Sequence, residues 1–233
     1  MSIREQEKNL FKEWKKHVND DGFCKDGLIT NKAVNEEKIL EGSKRRVLFF
    51  MKEPNGNPGG DYRWWDLEGE TKSTFFRFLY SWLNGLTNIK SDDKEYPPMT
   101  STFPTDKALV VVNAKKVSGG AVANDNLVWE HAERDAKHLK TQIEIYKPNI
   151  IVCGGGYTCK TKEVLMQHIM TSLIFSDIKF TQMEDSNWIW YSKERKMVLI
   201  NSYHPVATKT NHEKYDVMLE HFQRFLKLNI FDI

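Results

Sequence analysis

Three short apolar runs constrain this chain more than any other feature: RVLFFM at 46–51, ALVVVN at 108–113 and NIIVC at 149–153. A strand with water on one face alternates polar and apolar residues, so an unbroken run suits a strand covered on both faces. Around these runs the hydrophobic spacing changes to three and four. Ile3, Leu10, Phe11, Trp14 and Val18 share one face of a helix over 3–18, where Ser2 and Glu5 have the spacing of a capping box. A second helix over 73–86 carries Phe75, Phe76, Leu79, Trp82, Leu83 and Leu86. The clearest repeat is Trp129, Ala132, Ala136, Leu139, Ile143 and Tyr146, stopped by Lys147–Pro148. Helices over 160–173 and 213–228, and strands over 187–192 and 197–201 around the turn KERK, complete the pattern. Strands alternating with helices predict an α/β fold, a three-layer α/β/α arrangement around a mostly parallel central sheet. The expectation is a single domain over 1–233, with 1–45 as an N-terminal helical extension.

Composition narrows the class. With 233 residues, 40% of them hydrophobic, the chain can bury a core, and 34 basic against 32 acidic residues leave a formal charge of only +2. The aliphatic stretch Ala108–Val112 is too short to cross a bilayer, and the N-terminus lacks the apolar segment of a signal peptide. Three cysteines are too few and too odd for a disulfide framework and predict a reducing, cytoplasmic setting. Basic residues cluster at 12–16, 44–46, 115–116 and 193–196, which permits a phosphate-binding surface without demanding one.

In parallel sheets chemistry gathers at the carboxyl ends of the strands. After the first run comes KEPNGNPGGDYRWW, in which Glu53 sits at a strand end beside Pro54, and glycines allow close backbone approach to a ligand. Asn113 ends the second run, where a near-buried amide must find partners. Either it caps local backbone or it offers a donor–acceptor pair to a ligand. Gly154–Gly156 follows the third run. It fails as a dinucleotide fingerprint because Cys159 stands where the last glycine belongs. Ser202-Tyr203-His204-Pro205 follows the last strand and fixes a histidine at the same edge. Cys153 and Cys159 lack a second pair, and His131 and His138 lie seven residues apart on a helix, so no metal site is expected.

Glu-Pro, Asn, Gly-Gly and His-Pro at successive strand ends resemble the uracil-DNA glycosylase superfamily. In its best-known branch GQDPYH follows the first strand, LLLNAVLT carries the second and HPSP follows the last. Here the counterparts read MKEPNG, VVVNAKKV and YHPVAT, and the similarity runs over roughly 46–226. The resemblance implies a glycosylase-like fold that hydrolyses the bond between a flipped pyrimidine and its sugar, leaving an abasic site in DNA. It puts Glu53 where the family activates water, with Asp61 in the same loop as the alternative. Asn113 falls on the base-reading amide and His204 on the donor to the pyrimidine O2. Tyr62, Trp64 and Trp65 fall near the ring that stacks on the base. Lys115, Lys116 and Lys209, the turn Gly154–Gly155 and the loop Pro205–Val206 are the expected DNA-facing surface.

Three departures stand out. The acid is Glu, one methylene longer than Asp. Asn55 replaces the tyrosine that bars substituents at C5, which leaves room there. Val206 replaces a larger wedge. The superfamily's iron–sulfur branches use four cysteines, and three cannot supply them, so no cofactor is expected. The substrate is then either uracil, in repair, or a hydroxymethylated or glucosylated cytosine of the phage type, in antiviral defence. The protein is expected to be a monomer with DNA as partner and no membrane. The rival readings are a non-catalytic nucleic-acid-binding module and an unrelated nucleotide-binding α/β enzyme.

Overall fold

The computed structural model describes residues 1–18, 20–30, 34–64, 73–120, 122–155 and 165–233. The helices are α1 (Ile3–Val18), α2 (Glu36–Gly42), α3 (Thr74–Asn88), α4 (Asp125–Tyr146), α5 (Leu165–Ile169) and α6 (Val217–Lys227). The strands are β1 (Gly27–Leu28), β2 (Val47–Met51), β3 (Val110–Asn113), β4 (Ile150–Gly154), β5 (Thr181–Gln182), β6 (Ile189–Ser192) and β7 (Met197–Ser202). They form a seven-stranded sheet in the order β1-β3-β2-β4-β7-β6-β5. The four central strands, β3, β2, β4 and β7, run parallel; β1 on one flank and β6 and β5 on the other are antiparallel. The α/β class and the layered sheet match the sequence expectation.

The unbroken apolar runs are explained by cover on both faces. Val47, Phe49 and Met51 of β2 join the cluster that holds Trp82 of α3 and Phe222 of α6. The alternate residues, Leu48 and Phe50, join the opposite cluster with Trp14 of α1 and Leu139 of α4. Phe49 and Phe50 are both fully buried, worth about 1.5–3 kcal/mol each. The capping box at α1 forms as the spacing predicts: the Ser2 amide donates to Glu5 Oε2 at 2.9 Å and the Glu5 amide to Ser2 Oγ at 3.2 Å.

Differences concentrate at element ends. Helix α4 starts at Asp125, ahead of the periodic residues, because the Asn124 side chain accepts from the amides of Asn126 and Leu127. The stretch expected to be helical over 160–173 is described from Leu165, as α5 and a π-helical turn Met170–Ile174. The segment 1–45 holds a strand as well as helices: β1 pairs with β3, Gly27 opposite Val111, and extends the sheet. Trp14 is wholly buried and α1 packs on α4, so this segment is built into the core rather than appended to it. No helix among the described residues is long and apolar enough to cross a membrane.

Candidate active site

Register brings the expected residues to one edge. Met51 lies opposite Asn113, Phe50 opposite Cys153, and Gly154 opposite Ser202. Glu53, Asn113, Gly154–Gly155 and His204 therefore leave the carboxyl ends of four neighbouring parallel strands. Two glycines are needed for the fit. A Cβ at Gly154 would stand 2.5 Å from Met51 Sδ. Gly155 has φ +84°, and a Cβ there would press on His204 Cδ2 at 3.2 Å.

Glu53 is half-buried, and its Oε2 accepts from Lys115 Nζ at 2.6 Å. The lysine is delivered by the backbone: the Lys115 amide donates to the Lys52 carbonyl at 2.9 Å, continuing the β2–β3 ladder past its end. Gly119 closes over the other oxygen, since a Cβ there would lie 1.7 Å from Oε1, and its amide donates to the Pro54 carbonyl. Lys115 is thus the counter-ion of the acid. Asn55 is exposed in the loop beyond.

Asn113, 4% exposed, is tied down from within. Its backbone amide and its Nδ2 both donate to Asp26 Oδ2, at 3.0 and 2.9 Å. The other Asp26 oxygen accepts from Lys116 Nζ at 2.5 Å and Gln142 Nε2 at 3.0 Å. Lys116 is fully buried, with its ammonium 5.1 Å from the Trp14 ring centroid. The expectation that Lys116 faces DNA is therefore corrected: at a β3 end flanked by α1 and α4 it points into the core. Burial lowers its pKa, against the pull of Asp26.

His204 is prepared differently. Its Nδ1 accepts from the Val206 amide at 3.3 Å, which places the ring proton on Nε2. Burial, helped by the charges of Lys52 and Lys214, lowers its pKa to about 4, so the ring is neutral at physiological pH. Lys52 itself is paired with Asp125 at 2.6 Å. Phe75 stands beside the imidazole with ring centroids 5.9 Å apart. Lys214, buried above the Phe78 ring, donates to the carbonyls of Pro205 and Ala207 and holds the loop from beneath. Pro205 is buried, Val206 is 54% exposed, and Lys209 pairs with Glu213 at 3.1 Å while lying over the Tyr203 ring.

The remaining candidates sit apart from this cluster. Asp61 is committed to Arg63, which donates to it at 2.8 and 2.6 Å. Burial would raise its pKa, but Arg63 and Lys25 outweigh that and lower it. Arg63 also donates to the buried Glu7 at 2.7 Å, so Asp61 belongs to the scaffold joining this loop to α1. The Tyr62 hydroxyl donates to the Asn57 carbonyl and its ring covers Gly56 and Gly60. Trp64 is 63% exposed. Trp65, Gly156 and Cys159 lie outside the described residues. The structure adds Asp26, Phe75, Gly119 and Lys214 to the site. In sequence Phe75 is one more apolar position of a helix, and the other three carry no local signal.

No iron–sulfur set fits. The chain has three cysteines. Cys24 precedes β1 and Cys153 is in β4, both buried with β3 and β2 between them in the sheet. A separate group, His17, Asp135 and His138, draws its ligand atoms within 4.8 Å, but Arg134 donates twice to Asp135, at 3.0 and 2.6 Å.

No family model matches the chain. A type-4 uracil-DNA glycosylase from Sulfurisphaera tokodaii is 26% identical over 93 residues, 40% of this chain. The match spans 39% of that relative's length. The similarity is distant and partial, and it agrees with the α/β fold.

Proposed function

We propose that the protein is a monofunctional DNA glycosylase that hydrolyses the bond between a flipped pyrimidine and its deoxyribose. The substrate is uracil or a C5-modified cytosine, and the context base-excision repair or defence against modified viral DNA. One observation carries this reading: a lysine-paired carboxylate after β2, an oriented amide at the end of β3 and a neutral imidazole after β7 share one edge of the parallel sheet. The sequence resemblance and the partial similarity to a type-4 uracil-DNA glycosylase support it.

Each group has a task in such a reaction. Departure of a base leaves an oxocarbenium-like sugar and a base anion. Glu53, with one oxygen on Lys115, keeps the other to orient the attacking water and to face the cationic sugar. His204, neutral and with its proton on Nε2 because Nδ1 accepts from the Val206 amide, donates to the leaving O2. Asn113 meets the polar edge of the base. Phe75, beside His204, takes the stacking role expected of Tyr62, Trp64 and Trp65. The phosphate backbone meets Lys209 at the His-Pro loop. A second basic surface lies on the β1 flank, where Lys8, Lys12, Lys15, Lys16 and Lys25 line a groove beside Arg63.

The test is strand cleavage by hot alkali after incubation with oligonucleotides bearing uracil, 5-hydroxymethylcytosine, glucosylated hydroxymethylcytosine or plain cytosine. Cleavage at one modified position that is lost in Glu53→Gln and Asn113→Ala supports the proposal. Excision that survives Asn113→Ala overturns the assignment of the base reader. No cleavage of any substrate, with DNA binding unchanged in Glu53→Gln and His204→Ala, leaves the non-catalytic binding module. A nucleotide-binding enzyme has less support, because Met51 and His204 already account for the Gly154–Gly155 turn.

A further inference from the structure

We infer that Asp26 is a positioning residue that fixes which edge of the Asn113 amide meets the base, and thereby selects a pyrimidine bearing hydrogen on N3. The inference rests on the reading of Asn113 as the base-contacting group, and it narrows the two substrates left open above.

Asp26 is 1% exposed, and four groups converge on its carboxylate as donors: the Asn113 amide, Asn113 Nδ2, Lys116 Nζ and Gln142 Nε2. An acceptor so surrounded admits only the NH2 end of the Asn113 side chain. Turning that amide over would set its carbonyl oxygen against Asp26 Oδ2 at about the 2.9 Å now spanned by a hydrogen bond. Two lone pairs would face each other in a buried place, and a good bond would be lost. The amide has one rotamer end to show.

What it shows is a carbonyl oxygen and one remaining N–H. Oδ1 of Asn113 forms no hydrogen bond among the described residues, and it is not among the fully buried unpartnered atoms, so solvent reaches it. A carbonyl acceptor matches the N3–H of a 2,4-dioxopyrimidine, and the spare N–H matches O4. Cytosine offers the reverse, a bare N3 and an amino group at C4, and modification at C5 alters neither. The class selected is uracil and its C5-substituted derivatives.

The lock comes from an unexpected part of the chain. Asp26 directly precedes β1, and Gln142 also donates to its carbonyl at 3.0 Å, so the carboxylate is held by α4, by β3 and by the sheet itself.

The test measures single-turnover rates for wild type, Asp26→Asn and Asp26→Asn/Lys116→Met on matched oligonucleotides. These carry uracil, 5-hydroxymethyluracil, cytosine or 5-hydroxymethylcytosine. The double variant avoids leaving a buried ammonium without its carboxylate if the single variant folds poorly. Wild type is expected to prefer the dioxo bases by about 10²-fold or more. Both variants, able to donate from residue 26 to a turned amide, are expected to lose at least about tenfold of that preference. A merely structural role lowers all four rates together and leaves the ratio unchanged, which overturns the inference. A wild-type preference for either cytosine form also overturns it. The same base pairs are compared by equilibrium binding on 2′-fluorinated, uncleavable oligonucleotides. A preference for the uracil form that vanishes in both variants, without cleavage by wild type, keeps the inference and rejects the glycosylase. Binding without base preference in wild type rejects the inference itself.

Discussion

Asn113 and His204 leave strand ends on either side of β2 and β4, yet they are prepared in opposite ways. Asn113 is fixed by ions: a buried carboxylate, a buried ammonium and a glutamine converge beneath it. His204 is fixed by burial and a single backbone amide, and the charges that influence it are lysines rather than acids. The difference suits the task each has in the proposed reaction. An amide cannot be told which way to face except by a neighbour of definite polarity, and a carboxylate is the least ambiguous one. A neutral imidazole needs the contrary, because a nearby carboxylate would raise its pKa and give it a second proton.

Breaking the ionic side should cost the most. Lys116→Ala leaves Asp26 buried without its ammonium and is expected to destabilise the fold by roughly 3–5 kcal/mol, measured by denaturant unfolding. Were the loss under about 1 kcal/mol, the network would be ornamental. Next comes Gly119→Ala, whose methyl must displace the flexible end of Glu53. Activity should fall by about 10²-fold, since a misplacement near 1 Å has that cost. Stability should change by less than about 1 kcal/mol, because only a side-chain end moves. An active Gly119→Ala would remove Glu53 from the mechanism.

His204→Gln sharpens the other side through pH. The folded pKa lies near 4, below the ordinary value of 6.5, so the unfolded chain takes up this proton first. Wild type should therefore lose stability as pH falls from about 6.5 to 4, and His204→Gln should lose less over that window. Equal slopes in the two proteins would mean that His204 is not held neutral. The smallest effect belongs to the lysine groove. Lys8, Lys12 and Lys16 form no ion pair among the described residues. Replacing all three with Gln should lower the slope of log affinity against log salt by no more than about 3, with base preference unchanged.

Whether a feature is legible in the sequence depends on whether its cause is local. Strand β2 announces itself because burial on both faces leaves no polar break between Val47 and Met51. Glu53, Asn113 and His204 can be found because a parallel sheet gathers the residues at its strand ends onto one edge. Asp26 cannot: β1 is two residues long and shows no periodicity, and its partner lies 87 positions away. Lys116 misleads for a related reason. Adjacent lysines at a strand end look alike in sequence, whereas Lys115 turns to Glu53 and Lys116 to Asp26. Phe75 is recognisable as apolar, but helical spacing cannot say that its ring stands by a histidine.

The sheet ends, on both flanks, in strands of two residues, β1 and β5. An open flank with a long run of free amides and carbonyls is a template on which another chain can add a strand. Here the outermost pairings are Gly27–Val111 with Leu28–Val110 on one side and Thr181–Tyr191 with Gln182–Trp190 on the other. The β1 rim is covered by residues 60–63, with the Tyr62 amide donating to the Lys25 carbonyl and the Thr30 amide to the Arg63 carbonyl. The β5 rim offers two residues of backbone, too little to seed a growing ladder, so the valine-rich interior of β3 is shielded from the cross-strand stacking that drives aggregation.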